Sequence, residues 1–392
     1  MIKTTLLRCF HLIAAGSILA GGGLAAATLK PQPVGIYDLL NDPEHTGDVD
    51  LGDNPVLDNP NVDGFRLRIS WAAIQPDNAN QYNWANLDAA IAIAAAHGKK
   101  LCISIAAGLW CPEWVYTSPP IVYKYKMKET DPETGLSIGN QPLPWDTAFL
   151  DKWKTFLVAF GDRYDSNPTL SYVVMGGFME QFNMFVAGIE EDAIAITNLA
   201  KNPPQGYPGL VTSYPDFTSA YTPAAEAVMS SYATNFPTTS LLLTLTEVLP
   251  NDEGQALQNT VSNWAKETFP DHVGTMISAL YATVPPHYPP DETVTFPKGF
   301  QMVCRAVTDP ARLYIDPDPV PLPPTPIPLQ DALEHGVSLA AKYIEVYEGD
   351  LTDESSQAVL AVERDKLYLN AIPPPPPTKP EPPTDLHLQS TG

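Results

Sequence analysis

Residues 64–108, GFRLRISWAAIQPDNANQYNWANLDAAIAIAAAHGKKLCISIAAG, decide the fold. The first eight residues, GFRLRISW, predict a strand. The alanine-rich stretch at 84–100 predicts a helix that stops at Gly98, because glycine readily takes the conformation that ends a helix. The next eight residues, LCISIAAG, predict another strand. A strand followed by a helix and then a strand is the repeating unit of α/β proteins.

The same alternation extends to both sides of this stretch. Short apolar runs predict eight strands, at residues 34–40, 64–71, 101–108, 170–178, 239–248, 273–282, 299–307 and 342–348. Helical patterns lie at 84–100, 146–164, 222–237, 252–269, 329–341 and 353–369. Eight strands with helical crossovers predict an α/β fold, a single (β/α)8 TIM barrel over residues 28–372. The alternative is an open doubly wound sheet, which usually has a glycine-rich turn after its first strand; YDLLNDPEHTG is not such a turn.

The two ends of the chain differ from the middle. Residues 1–27 begin with Lys3 and Arg8, continue through an apolar stretch and end in small residues, as a secretory signal peptide does. We expect cleavage after Ala27 and a secreted protein, extracellular or periplasmic, with no transmembrane segment left; a membrane anchor is the alternative. The proline-rich residues 373–392 predict a polyproline II linker or tail, which could attach the protein to a cell surface or to another module.

Charge and cysteine content exclude several classes of function. A net charge of −23 argues against a nucleic acid partner, whose phosphates this surface would repel. If Cys9 leaves with the signal peptide, Cys102, Cys111 and Cys304 remain, and an odd number excludes a complete disulfide framework. Buried free thiols are favoured for these three cysteines, and one disulfide bridge between two of them is the alternative. For Cys9 the alternative is lipid attachment. The cysteines and histidines lack zinc-site spacing, so we expect no metal or cofactor.

The ends of the predicted strands carry the candidate functional residues, because active sites of such barrels lie there. Carboxylates, amides and aromatic rings dominate these positions. Aromatic faces stack on sugar rings while carboxylates and amides bind hydroxyls, so the pattern predicts an oligosaccharide or polysaccharide as substrate. The expected substrate-binding residues are Asp38, Arg68, Trp71, Trp110, Trp114, Asn183, Tyr281, Gln301 and Tyr347.

The stretch SYVVMGGFMEQFNMF, residues 171–185, presents Glu180 just past the fourth strand. Glycoside hydrolysis needs two carboxyl groups that flank the bond, one of them carrying a proton. The apolar neighbours Phe178, Met179 and Phe182 would supply the partly apolar pocket that keeps a carboxyl group protonated. Glu180 is therefore the candidate proton donor.

Two segments resemble clan A glycoside hydrolases, in particular their beta-galactosidase-like branch. Residues 62–115 are similar to the second and third βα units of that clan: an arginine strand leads into W…IQP, then Y-x-W…LD opens a helix, and P-x-W follows the next strand. Residues 142–181 resemble the following unit, which in the clan ends in the acid/base glutamate. The resemblance covers residues 60–185 and implies glycosidase activity on a TIM barrel, with Glu180 as the acid/base.

The chain departs from the clan at two places. The clan normally has asparagine before the acid/base, whereas Met179 stands here and Asn183 follows. The clan's nucleophile is a glutamate at the end of strand seven, and GFQMVCRAV, residues 299–307, contains none. Gln301 lies in that strand, but an amide cannot replace a nucleophilic carboxylate.

Two other carboxylates could serve as nucleophile. If the strands are counted one lower, Glu345 in KYIEVYEGD takes the position of the clan's nucleophile, and Glu247 is the second choice. For Glu345 the alternative is a salt bridge inside the barrel, for instance with Arg66, Arg68 or Arg305.

The residues and the resemblance together predict a glycoside hydrolase that cleaves a neutral glycosidic bond with a pair of carboxylates and a retaining mechanism. A β-galactoside is the suggested substrate. The missing strand-seven glutamate leaves a second reading open, a carbohydrate-binding barrel without activity. The proline content leaves a third, a scaffold for protein interactions.

Overall fold

Eight parallel strands pair in a closed ring in the computed structural model. They are β1 (Gly35–Leu39), β2 (Gly64–Ser70), β3 (Lys100–Ala106), β6 (Leu170–Val174), β7 (Ser240–Leu245), β8 (Val273–Leu280), β9 (Met302–Ala306) and β10 (Ala341–Tyr347). Strands β4 (Tyr125–Lys126) and β5 (Asn140–Gln141) form a separate antiparallel hairpin. Because β1 pairs with both β2 and β10, the ring is closed. The predicted (β/α)8 barrel is confirmed, and the open-sheet alternative is wrong.

The structure describes residues 28–40, 47, 50–131, 134–178, 186–246, 248–280, 302–306 and 328–372, without the side chains of 277–280 and 302–306. The predicted signal peptide and proline-rich tail both lie outside these ranges. No helix in the described part is long and apolar enough to cross a membrane.

Helices connect the strands on the outside of the ring. They are α1 (Trp71–Ile74), α2 (Ala85–Ala96), α3 (Trp114–Thr117), α4 (Thr147–Tyr164), α5 (Glu190–Lys201), α6 (Phe217–Asn235), α7 (Asp252–Thr268), α8 (Leu329–Ser338), α9 (Glu348–Thr352) and α10 (Gln357–Asn370). The sequence predicted α2, α4, α6, α7, α8 and α10. It missed α5 and the short helices α1, α3 and α9, which are too short to show a helical period.

Each strand separates two kinds of environment, because successive side chains point to opposite faces. On β2, Phe65, Leu67 and Ile69 face outward into what we call the outer core, the apolar layer between strands and helices. Arg66 and Arg68 alternate with them and face the interior. The inner layer, the cluster inside the ring, consists of Tyr37, Cys102, Ala106, Tyr172, Val174, Leu242, Met276 and Tyr343.

Helix α4 shows why the outer core forms where it does. Asp146 precedes the helix, and its carboxylate accepts hydrogen bonds from the N–H groups of Ala148 and Phe149, which satisfies two free donors of the first turn. The predicted apolar face of this helix is buried as expected, and Trp153 and Phe156 stack within it. The buried face of the helix thereby becomes part of the outer core.

Candidate functional site

A buried ion pair lies inside the barrel. Nη1 of Arg66 donates to both carboxylate oxygens of Glu345, at 2.9 and 2.8 Å. The hydroxyl groups of Tyr172 and Tyr343 donate to Oε1 of Glu345 at 2.8 and 3.0 Å. Nε of Arg66 donates to Oγ of Ser104 at 2.8 Å. All five side chains are buried, so this network is closed to bulk water.

The partners of Arg66 stabilise its charged form. Burial alone would lower the pKa of Arg66, but the nearby carboxylate of Glu345 and the two tyrosines raise it above its ordinary value. Burial also raises the pKa of Tyr172 and Tyr343 well above the ordinary tyrosine value, so both remain hydroxyl donors. One positive charge and one negative charge, each with several hydrogen bonds, make a neutral polar centre for the barrel.

The setting of Glu345 bears on its predicted role. Its strand, β10, pairs with β1 and is the eighth strand of the ring, so the lower strand count that would make it strand seven is wrong. Both carboxylate oxygens already accept hydrogen bonds, and the side chain has no exposed surface. This geometry favours the internal salt bridge, the alternative named from the sequence, over a nucleophile.

Trp71 and Trp114 pack in the outer core. The ring of Trp71 is fully buried and contacts Trp114, Phe149 and Trp153, with ring centroids 5.7, 6.4 and 5.0 Å apart. Both indole nitrogens donate to Gln75, that of Trp71 to the side chain at 2.7 Å and that of Trp114 to the carbonyl at 2.8 Å. The structure therefore does not support the predicted sugar contacts of these two residues, because their rings are used in packing.

Asp38 also faces away from the barrel interior. Its neighbours Ile36 and Leu40 lie in the outer core, and its Oδ2 accepts a hydrogen bond of 3.0 Å from Nδ2 of Asn54. The same amide donates to Oε2 of Glu348 at 3.1 Å. Burial and the charge of Glu348 raise the pKa of Asp38 to about 7, although the bond from Asn54 opposes the shift. Through Asn54, Asp38 thus links the connection after β1 to the one that begins at Glu348 after β10. This position does not support a direct contact with substrate.

Three predicted substrate-binding residues do lie at the C-terminal side of the ring. Trp110 is half-buried and packs against the inner layer. Arg68 lies one step beyond Arg66 on the inward face of β2, and its Nη2 donates to the carbonyl of Leu40 at 3.1 Å. Tyr347 is half-buried at the end of β10. Their contact with a sugar stays a prediction.

The remaining predicted site residues lie outside the described residues. They are Glu180, Asn183, Glu247, Tyr281 and Gln301. Among the residues that the structure does describe, no group of three or more histidine, cysteine or carboxylate side chains could hold a metal ion. Cys102 and Cys111 are free thiols, and burial raises the pKa of each above the ordinary cysteine value.

Sequence reasoning missed the two tyrosines of the inner network and the hairpin of β4 and β5. The signal for Tyr172 was present, because it alternates with the outward Val173 on a strand whose outward side chains are apolar. No comparable signal marked the hairpin, whose strands have two residues each.

Comparisons with known proteins give the fold. No protein-family model matches the chain, and no curated protein matches it. The catalytic domain of beta-amylase from Paenibacillus polymyxa superposes with a TM-score of 0.51 at 10% identity, over 88% of this chain and 100% of that one. At this identity the likeness establishes the barrel fold and not the activity, since one fold hosts many functions.

Two further solved structures are more distant. Beta-galactosidase from the psychrophilic Marinomonas ef1 has a TM-score of 0.49 and 11% identity, over 86% of this chain and 60% of that one. Xylanase B from Clostridium stercorarium F9 has a TM-score of 0.41 and 14% identity, over 80% of this chain and 85% of that one. All three neighbours are glycoside hydrolases.

Proposed function

We propose that the chain is a glycosidase that cleaves a neutral glycosidic bond, with Glu180 as the acid/base. The topology of the barrel carries this proposal. Strand β6 is the fourth strand of the ring, and Glu180 follows Phe178 by two residues on its C-terminal side, the side that holds the active site in barrels of this type. The half-buried Trp110 lies over the inner layer on the same side and offers an aromatic surface for a sugar ring.

The partner carboxylate belongs to the proposal as well. A retaining mechanism needs a second carboxyl group about 5 to 5.5 Å from the first, and an inverting one needs about 6.5 to 9.5 Å. Glu345 is the partner predicted from the sequence, but its carboxylate is already paired with Arg66. We therefore favour Glu247, in the connection after β7, as the partner carboxylate. We propose a retaining reaction and a β-galactoside as the first substrate to test, in line with the beta-galactosidase-like segments of the sequence.

Turnover of a panel of aryl glycosides, with β-galactosides first, tests the activity. Glu180→Gln should lower kcat by a factor of about 100 or more, because the leaving oxygen loses its proton donor. An aryl leaving group that is already a weak base should restore part of that rate. Glu247→Gln and Glu345→Gln, compared side by side, identify the nucleophile, and NMR of the first-formed anomer gives the stereochemistry. Full activity in Glu180→Gln would rule out its role.

One observation favours a second function, a barrel that binds carbohydrate without cleaving it. The described candidate for the nucleophile, Glu345, has both oxygens engaged and no exposed surface. This reading predicts saturable sugar binding, measured by calorimetry, with no product from any member of the panel. It also predicts equal affinity for wild type and Glu180→Gln.

We further propose that the protein is secreted and that its proline-rich tail serves as a linker. The sequence of residues 1–27 supports export, and the sequence of residues 373–392 supports a stiff, extended spacer. Mass spectrometry of the protein recovered from outside the cell should give an N-terminus at Thr28. Recovery with residues 1–27 intact would argue for the anchor instead.

A further inference from the structure

The connection from β6 to α5 contains Glu180, and its two flanks are held in different ways. On the barrel side, the N–H of Gly176 donates to the hydroxyl of Tyr232 at 3.0 Å. Gly177 has φ +92°, and a Cβ at this position would lie 2.2 Å from Nε1 of Trp153. Only glycine fits there, so the chain leaves the barrel against the Trp153 ring along one path.

On the helix side, the backbone of Val186 is held from two directions. Its N–H donates to the carbonyl of Val248 at 3.0 Å, which ties it to the connection after β7. Its carbonyl accepts a hydrogen bond of 2.8 Å from Nε2 of Gln141. Gln141 is buried on β5, and that strand packs against Gly108–Trp110, the turn that carries the half-buried Trp110. Gln141 thus bridges the connections that follow β3 and β6.

The hairpin that presents Gln141 is itself firmly attached to α5. Asp192 in the first turn of α5 is buried, and its carboxylate accepts from the hydroxyl of Tyr125 at 2.6 Å. It also accepts from the N–H groups of Lys128 and Glu129, each at 2.9 Å. The hairpin is therefore anchored to the helix that follows the acid-bearing connection, and Gln141 adds a contact at Val186, on the helix-side flank of that connection.

The chemistry of Gln141 is poorly suited to a purely structural role. Its Oε1 is buried and has no hydrogen-bond partner in the described part of the chain. A buried amide with one end unsatisfied contributes less to stability than a fully paired one. The remaining contribution of this amide is to fix the position of the Val186 carbonyl.

We propose that Gln141 is a positioning residue that fixes the far end of the connection carrying Glu180. The inference rests on the proposed function, in which Glu180 protonates the leaving oxygen. A proton donor acts only within about 2.6 to 3.2 Å of its target, and a displacement of about 1 Å costs about 100-fold in rate. Gln141 acts through the backbone at Val186 and does not touch the substrate.

Gln141→Met tests the proposal, because methionine keeps the length of the side chain and removes the donor. We expect kcat to fall about 10-fold or more while KM stays within about 2-fold, because position and not binding is lost. The melting temperature should fall by about 2 to 4 °C, because the buried Val186 carbonyl loses its donor. Gln141→Glu is the matched rescue: a protonated carboxyl group can donate to the Val186 carbonyl and a carboxylate cannot. Its rate relative to wild type should therefore rise as the pH falls.

Asn140→Met is the control, since Asn140 lies on the same strand and its side chain alternates with that of Gln141. It should leave kcat within about 2-fold of wild type. Amide hydrogen exchange adds a readout that needs no activity: residues 186–188 should exchange faster in Gln141→Met, with the barrel strands unchanged. Faster exchange there supports the role of Gln141 in fixing Val186 even if wild type cleaves no glycoside. Absence of cleavage by wild type would overturn the proposed function alone. Unchanged exchange, or unchanged kcat in an active enzyme, overturns the positioning role.

Discussion

The two faces of the barrel strands are packed by different kinds of side chain. Outside the ring, the aromatic rings of Trp71, Trp153 and Phe156 fill the space to the helices by shape and apolar contact. Inside the ring, a charged pair, Arg66 and Glu345, is held by hydroxyl groups. An apolar layer tolerates changes that keep its volume, whereas a buried charge tolerates no change that leaves its partner alone. Mutations on the two faces should therefore lower the free energy of unfolding by different amounts.

Removal of one charge from the interior should have the largest effect. Glu345→Leu leaves the Arg66 guanidinium buried without a counter-charge, which costs about 3 to 5 kcal/mol of the free energy of unfolding. The double variant Arg66→Met with Glu345→Leu removes both charges and should recover most of that loss. Chemical denaturation of the single and double variants measures both values. Equal losses in the single and double variants would contradict the ion-pair account.

The sequence predicted the barrel because strand and helix periods reflect local chemistry. Apolar runs such as LCISIAAG are long enough to mark buried parallel strands, and the helix stop at Gly98 has the positive φ of +67° that glycine permits. The hairpin and α5 escaped prediction for a physical reason. Two-residue strands have no period, and the buried face of α5 consists of Asp192, Ala193, Ile196 and Ala200, with only one large apolar side chain.

The site was harder to predict because only every second residue of a strand faces the interior, and the sequence does not show at which residue each strand ends. Asp38 and Trp71 both stand near a strand end, yet Asp38 faces the outer core and Trp71 begins α1 beneath α4. A shift of one residue along a strand moves a side chain from the interior to the helices. The sequence did give both readings of Glu345, and only the pairing with Arg66 in space distinguishes between them.

A smaller effect should follow from a change in the outer core. Trp71→Phe keeps an aromatic ring but removes the indole N–H that satisfies the buried Gln75 side chain. We expect a loss of about 2 kcal/mol in the free energy of unfolding, from the lost volume and the unpaired amide oxygen. Trp84→Phe is the control, because Trp84 is only half-buried at the edge of the outer core, and it should cost less. Equal losses in the free energy of unfolding at both positions would show that the burial of the tryptophan does not determine the loss.

The smallest effect is that of a change of one pH unit, which acts through Asp38, a buried acid on the outer side of β1. Its pKa in the folded protein, about 7, is above the ordinary value of 3.8, so the folded state holds a proton that the unfolded state releases. The stabilisation from this proton is complete below pH 4 and is lost as the pH rises towards 7. Asp38→Asn, which cannot ionise, should therefore gain stability relative to wild type over that range, by about 1.4 kcal/mol for each pH unit. Denaturation at several pH values measures this gain. Glu348→Gln, with Asp38 left in place, should lower the pKa of Asp38 and so narrow the pH range over which stability falls, because the charge of Glu348 contributes to the raised pKa. A gain in Asp38→Asn that does not depend on pH would show that Asp38 is not protonated in the folded protein.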